Sequence, residues 1–368
     1  MPTRPLEIVT HSRLSCFKTC PRKHYLSYEL GIRRLDIGQP LRVGTAVHYG
    51  VECLANNVPI DGICNAIRAE YDEVPRWADP LEWNCECELA VRLVMAYHWV
   101  YQNSPVKTIA TEKTFGFKAT QLRGIAVAGK VDAIVQLDDG RVAVREMKTT
   151  GDSIDDGSDY WIKLRRDQQI SLYMIAAQKM GYAVETVLYD VIRKPGCTPY
   201  RATPMDKRKY KKDGTLYANQ RDRDETVDEY GQRVTDAIVA DPGAYFVRRE
   251  IPRLDSDLET FRRELVQTVQ QLRNAQRNGY WYRNTNSCTM PYRCEYHSEL
   301  CDMDIQPDSP LPAGWRRTTN IHEELDLAAV NAATAATQTK RAPRKRNIVA
   351  NDAVSHDAGS PSSAASGA

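Results

Sequence analysis

The sequence predicts a mixed α/β fold, and three observations carry that reading. Apolar residues recur at helical spacing through the first hundred positions; two alternating apolar runs then meet at the turn Asp138-Asp139-Gly140; helical spacing resumes after residue 226. In chain order the spacing predicts helices over 13–29, 43–56, 61–73 and 85–102. Strands follow over 109–118, 129–137 and 141–148. A helix over 165–180 ends at Gly181, and a strand covers 186–193. Residues 198–228 are polar and rich in Lys and Arg, which predicts an exposed basic insertion. Helix 226–240, a short strand around "AYFVRREI" and a long amphipathic helix over 255–278, closed by Gly279, complete the pattern. From Leu327 the composition falls to Ala, Thr, Ser and Asn around "KRAPRKR", which predicts a disordered tail.

The chain of 368 residues is 42% hydrophobic and 27% charged, enough for a sizeable core and inconsistent with disorder throughout. No apolar run approaches the roughly 20 residues needed to cross a bilayer, and "MPTRPLEIVT" lacks a secretory apolar segment, so the chain reads as cytoplasmic. In that reducing compartment its ten cysteines point to metal ligation sooner than to disulfides, with most of them small buried hydrophobes. The formal charge of +2 divides unevenly. Residues 1–326 carry 45 basic against 46 acidic side chains, so nucleic-acid contact would have to use local patches. Candidates are Arg22 and Lys23 in "KTCPRKH", Arg165 and Arg166 in "KLRR", Lys207 in "KRKYKK" and Arg248 in "FVRRE"; the plain alternative for each is a solvated surface.

The stretch "GKVDAIVQLDDGRVAVREMKTTG" places carboxylates on an otherwise apolar face. If Leu137 and Arg141 flank the turn, Asp132 lies opposite Glu146, while Val142, Val144, Glu146 and Lys148 share one face and Met147 takes the other. Opposed carboxylates repel, and burying them costs several kcal/mol unless a cation compensates. Lys148 is one such cation; Mg²⁺ or Mn²⁺ bound between the oxygens is the other. His48 and Glu52 stand one helical turn apart upstream, and Gln169 and Tyr173 are spaced i, i+4 downstream. Taken singly, each pattern is as compatible with a surface pair or a core residue.

The ordered set G-x-x-x-H (Gly44 to His48), G-x-V-D (Gly129 to Asp132), E-x-K (Glu146, Lys148) and Q-x-x-x-Y (Gln169, Tyr173) resembles the RecB-type branch of the PD-(D/E)XK nucleases. That branch includes the nuclease domains of RecB and AddB together with CRISPR-associated and phage exonucleases that carry an iron-sulfur cluster. The resemblance covers roughly residues 12–302. It implies a restriction-endonuclease-like core, a mixed central sheet flanked by helices. It further implies that His48, Asp132, Glu146 and the Met147 carbonyl hold the metal, that Lys148 orients the attacking water, and that Gln169 and Tyr173 steady Lys148 or position DNA. Asp132, Glu146, Lys148, Gln169 and Tyr173 are thus the expected catalytic set.

Cys20, Cys288, Cys294 and Cys301 are four thiols at the two ends of this region, able to hold either a [4Fe-4S] cluster or tetrahedral zinc; spacing does not decide. One early cysteine before proline and three late ones are what iron-sulfur members of the branch look like, which implies the cluster. The expected organisation is a helical N-terminal region (1–108), a nuclease core (109–197), the basic insertion (198–228), a helical and cluster-binding region (229–326) and the tail (327–368). The implied function is a metal-dependent DNA exonuclease in recombination, repair or replication, in a bacterial or phage-infected cell. DNA ends or single strands would be its substrate and a helicase or single-strand annealing protein its partner. The chain contains no G-x-x-x-x-G-K-[ST] loop for a motor of its own. The alternatives are a non-catalytic iron-sulfur DNA-binding module and a zinc protein that binds partners.

Overall fold

The computed structural model describes residues 6–339 except 37, 120, 291, 298 and 299. The elements run β1 (Glu7–Val9), α1 (His11–Thr19), α2 (Pro21–His24), a π-helical turn (Tyr25–Glu29), β2 (Ile32–Arg34), α3 (Gln39–Ala55), α4 (Ile60–Glu70) and α5 (Pro80–Tyr101). They continue with β3 (Lys107–Lys118), β4 (Ile125–Gln136), β5 (Val142–Thr150), α6 (Asp159–Leu164), α7 (Gln168–Met180) and β6 (Val184–Arg193). Last come α8 (Val227–Ala240), β7 (Phe246–Glu250), α9 (Asp255–Asn278), β8 (Trp315–Arg317) and α10 (Leu327–Thr339). Among these residues no helix is long and apolar enough to cross a membrane.

Six strands form a mixed sheet, with β4, β5, β6 and β7 side by side and both β1 and β3 paired to β4. On one face α7 and α9 bury Ile170, Met174, Phe261 and Leu272 against Val127, Val144 and Val191. On the other, α3, α4, α5 and α8 close over Met147, Ile192 and Phe246. The result is a helix–sheet–helix sandwich, as expected where a central sheet is apolar on both sides.

The hairpin between β4 and β5 has the register read from the sequence, Ala133 opposite Arg145 through Gln136 opposite Val142. Leu137 N–H donates to the Arg141 carbonyl at 2.9 Å, and Gly140 takes the left-handed φ of +89° that the three-residue turn demands. Strand β1 pairs in parallel with the opening residues of β4, up to Val9 against Val127, on the edge that β5 joins only at Ala133. Residues 128–132 therefore have no ladder partner there. Beyond Arg145, β5 leaves β4 and stays with β6 as far as Thr150. The sheet forks, and Asp132 and Glu146 stand at the fork.

Two expected helices differ in the structure, each for a local reason. The 13–29 helix is interrupted at Cys20, whose φ and ψ of −162° and 116° are those of a residue held extended before Pro21. The 165–180 helix starts only at Gln168, because Asp167 is the extended N-cap of α7, accepting the Gln169 N–H at 2.9 Å. One further expectation is corrected. The segment from Leu327 begins as α10, capped by Asp326 through the amides of Ala328 and Ala329. Val330 and Thr334 are buried against β3, where Gly116 leaves them room, and Thr337 Oγ1 donates to the Gly116 carbonyl at 2.9 Å. Alanine is the best helix former, so the composition that suggested disorder suits a capped helix lying on a sheet. The basic cluster and the end of the tail fall outside the described residues.

Residues 198–226 contain only a 3₁₀ turn (Met205–Lys207) and an isolated bridge between Tyr210 and Leu216. Glu225 ties their ends together, accepting from Tyr200 N–H at 2.8 Å and from Arg233 at 2.7 Å.

His24 is fully buried, stacked at 5.3 Å on both Tyr28 and Trp281, and its Nε2 accepts from Arg13 Nε at 3.3 Å. Burial, aided by the Arg13 charge, lowers its pKa to about 2. A depressed histidine leaves the folded state neutral while the unfolded chain takes up a proton below pH 6.5. Stability is thus lost as pH falls from 6.5 toward the folded pKa, by about 1.4 kcal/mol per unit. Urea unfolding of the wild type and His24→Phe between pH 7 and pH 5 should give a shallower acid loss in the variant.

Candidate active site

Glu146 is 2% exposed and sits on the face of β5 that begins with Val144. Its Oε1 accepts from Lys148 Nζ at 2.7 Å, and its Oε2 has no hydrogen-bond partner among the described residues. Burial first, and the Asp132 charge second, push its carboxyl up to about 8 against the pull of Lys148. Asp132 Oδ2 accepts the Met147 N–H at 3.1 Å, so at the fork a side chain takes the amide that a continued ladder would have used. Met147 itself is buried in the opposite core.

Lys148 is held from several sides. Besides Glu146 it donates to Gln169 Oε1 at 2.7 Å and lies 3.9 Å from Asp167 Oδ2. Gln169 Nε2 in turn donates to Tyr173 Oη at 2.9 Å, which fixes the amide with its oxygen toward the lysine. Burial disfavours the ammonium, yet Glu146 and Asp167 outweigh it and the Lys148 pKa stands above the ordinary lysine value. Burial also raises the Tyr173 pKa well above that of a free tyrosine, so it acts as a neutral hydroxyl.

His48 reaches the fork from α3. Gly44, one turn earlier, allows the approach: a Cβ there would lie 3.0 Å from Thr149 Oγ1 on β5. Burial lowers the His48 pKa, Asp132 raises it and Lys148 lowers it, so imidazole, carboxylate and ammonium share one field.

The expected residues His48, Asp132, Glu146, Lys148, Gln169 and Tyr173 therefore converge, and the structure adds others. Asp167 bridges Lys148 and the start of α7, with Tyr189 Oη 3.4 Å from its Oδ2. Burial takes the His11 pKa down to about 4 against the charge of Asp167, with Lys18 and Lys148 assisting. Glu112 on β3 adopts a left-handed φ of 48°, rare for a residue with a side chain, and pairs with Lys130. Burial raises its pKa against the Lys130 pairing, and the charges of Glu52 and Asp132 push the same way. Asp167 was detectable as the N-cap before a helix; Glu112 and His11 carried no local signal.

The basic candidates divide. Arg165 and Arg166 are exposed just before α7, and Lys207 is exposed in the insertion. Lys23 faces Glu295 at 3.2 Å. Two expectations of a phosphate contact are corrected. Arg22 donates to the carbonyls of Cys301 at 3.2 Å and Met303 at 2.6 Å, clamping the C-terminal segment. Arg248 pairs with buried Asp190 at 3.0 Å, donates to Tyr97 and Ser104 at 2.7 Å and lies 3.6 Å from the centre of the Tyr101 ring. The Arg248 guanidinium is turned into the protein, and the half-exposed Arg22 guanidinium is engaged by backbone carbonyls.

A model of the PD-(D/E)XK nuclease superfamily matches residues 8–301. The chain belongs to this superfamily. The matched region spans the sheet, the fork and the late cysteines; β8 and α10 lie beyond it. No curated protein matches the chain significantly. Among solved structures, that of SSO0001 is similar at 14% identity, covering 56% of this chain and 82% of that one with a TM-score of 0.24, too loose a superposition to carry an argument.

In this nuclease-superfamily fold, Cys20, Cys288, Cys294 and Cys301 line one cavity of about 190 Å³, joined by Lys23 and His297. Asn284 N–H donates to Cys20 Sγ at 3.4 Å, and Cys294 N–H donates to the Cys288 carbonyl at 2.8 Å. Burial raises the Cys294 pKa against Lys23. None of the four is in a disulfide. Among the described residues no three or more His, Cys, Asp or Glu side chains form a ready-made metal cage. What fits a divalent cation at the fork is the chemistry of the donors: a buried carboxylate oxygen lacking a partner, a second carboxylate and an imidazole. What fits a thiolate-bound group at the other site is four cysteines on one cavity.

Cation binding at the fork should appear without any substrate. Mn²⁺ or Mg²⁺ at about 100 times its Kd should add about 2.7 kcal/mol to folding stability, read as a rise in Tm. In Glu146→Ala and Asp132→Ala the rise should shrink or vanish.

Proposed function

We propose that this chain is a metal-dependent DNA nuclease of the RecB-type branch, acting as an exonuclease in recombination, repair or replication. The observation that carries the reading is buried Glu146 beside half-buried Asp132: its Oε1 accepts from Lys148 at 2.7 Å, while its Oε2 has no hydrogen-bond partner among the described residues. Such an arrangement is costly in a purely structural protein and suits a residue pair that receives a cation beside a phosphodiester. His48, Asp132, Glu146 and the Met147 carbonyl would hold Mg²⁺ or Mn²⁺. Bound there, the ion would polarise the phosphoryl oxygen and lower the pKa of a bound water.

The protein's own part is positioning and charge. Lys148, fixed by Gln169 and Asp167, presents an ammonium to the attacking water and to charge that develops on the phosphate. Tyr173 locks Gln169, and Gln169 locks Lys148. Arg165 and Arg166, exposed just ahead of α7, are the cations best placed to meet the DNA backbone beside the fork, and Lys23 and Lys207 are further candidates for phosphate contact. Contacts of this kind make binding weaken steeply with salt.

Cys20, Cys288, Cys294 and Cys301 would hold a [4Fe-4S] cluster in a structural role, joining the start of α2 to the segment after α9. Zinc is the second occupant the cavity chemistry admits, since His297 also lines it. A helicase or a single-strand annealing protein is the partner this function calls for, in a bacterial or phage-infected cytoplasm.

Degradation of end-labelled single- and double-stranded DNA with Mn²⁺ or Mg²⁺ tests the reading. Lys148→Ala and Glu146→Ala should each slow cleavage by about 100-fold or more. A wild type that binds DNA yet cuts neither substrate with its cysteine site loaded would replace the nuclease with a non-catalytic module. Anaerobically purified protein should contain iron and acid-labile sulfide in equal amounts, with broad visible absorbance that Cys294→Ser diminishes. Zinc in their place would overturn the cluster.

A further inference from the structure

The segment that leaves α9 is unusual in what it shows to solvent. Tyr280 is 71% exposed, Tyr282 56%, Met290 68% and Tyr292 78%. Exposed aromatics gathered in one short stretch of a soluble domain ordinarily mark a binding surface. From Gly279 to Cys294 the sequence has no acidic residue and two arginines, Arg283 and Arg293, and the exposed Arg277 closes α9 just before it. Arg283 donates to the Cys301 carbonyl at 2.9 Å and meets the exposed Asp302 at 3.4 Å, a surface pair of little net worth, while Arg277 and Arg293 are exposed.

These tyrosines stand on a fixed backbone. Trp281 between them is turned inward, stacked on His24 at 5.3 Å and on Tyr25 at 5.6 Å. The Tyr282 carbonyl accepts the Arg22 N–H at 3.0 Å, and Asn284 is tied to the Thr19 carbonyl and Cys20 Sγ. The segment is thus held against the C-terminal end of α1. Lys18, near that same end of α1, donates to Gln168 Oε1 at the start of α7, the helix that carries Gln169 and Tyr173. The tyrosine segment is thus joined through α1 to the helix that steadies Lys148.

We propose that Tyr280 and Tyr282 form a stacking platform for a single-stranded segment of nucleic acid, with the neighbouring arginines meeting its phosphates. The identity of that strand as substrate rests on the nuclease reading. Aromatic faces set among cations take bases of any sequence, because every base offers a π-face. Duplex bases are already stacked on one another, so the platform is open only to unpaired strand.

Fluorescence anisotropy with labelled oligo-dT and a blunt duplex, using the cluster-loaded protein without added divalent metal, tests this. Tyr280→Ala and Tyr282→Ala should each weaken oligo-dT binding by about 5- to 100-fold and leave duplex binding within about two-fold. Tyr280→Trp and Tyr282→Trp should retain it. Equal loss on duplex, or unchanged oligo-dT binding in alanine variants whose circular dichroism matches wild type, overturns the platform; in the second case the tyrosines serve a protein contact instead. Wild type that cuts DNA while the alanine variants bind and cut like it leaves the nuclease and removes the platform. Tyrosine-dependent binding of oligo-dT by a wild type that never cuts leaves the platform and removes the nuclease.

Discussion

Everything at the candidate site depends on the fork between β4 and β5. While two strands stay paired, their backbone amides satisfy each other and their side chains pack in register. Where β5 departs to follow β6, the Met147 amide turns to Asp132 and the carboxylate of Glu146 is left in the interior with one oxygen unmatched. A protein that needed only a stable sheet would place Val or Ile at such positions, since a buried charge without full compensation costs several kcal/mol. The fork instead gathers Asp132, Glu146 and Lys148 from two strands and receives His48 from α3 and Gln169 from α7.

The surrounding architecture keeps the fork in place from both faces of the sheet. On one side α7 is started by Asp167, whose two oxygens cap the helix and approach Lys148, so the helix and the lysine are positioned by the same group. On the other, Gly44 lets α3 come close enough to β5 for His48 to join. Around the rim, Arg22 and the cysteine cavity join the early helices to the segment after α9, and Arg248 on β7, Asp190 on β6 and Tyr97 on α5 hold one another. Asp190 and Glu146 each keep one buried oxygen without a hydrogen-bond partner among the described residues, but only Glu146 has a second carboxylate, Asp132, beside it at the fork.

Much of this was legible in the sequence because it is local. Alternation and a glycine turn fix the β4–β5 register, and the span of α9 with Gly279 as its left-handed stop follows from amphipathic spacing and one C-cap. Less legible were features decided by distant partners. Arg22 and Arg248 have the sequence character of free surface cations, and only their carbonyl and carboxylate partners show them engaged within the protein. Glu112 is invisible as a site neighbour until its left-handed φ and its pairing with Lys130 are seen. For α10, an alanine-rich run reads as featureless unless Asp326 is recognised as its cap and β3 as its support.

The most direct test of the fork as a cation site is anomalous scattering from crystals grown with Mn²⁺. A single strong peak about 2.1 Å from oxygens of Asp132 and Glu146, with the His48 imidazole as a further ligand, is expected. An ordered fork without manganese at a saturating concentration, or manganese bound elsewhere with Glu146 still on Lys148, would contradict the assignment of the fork carboxylates to a metal.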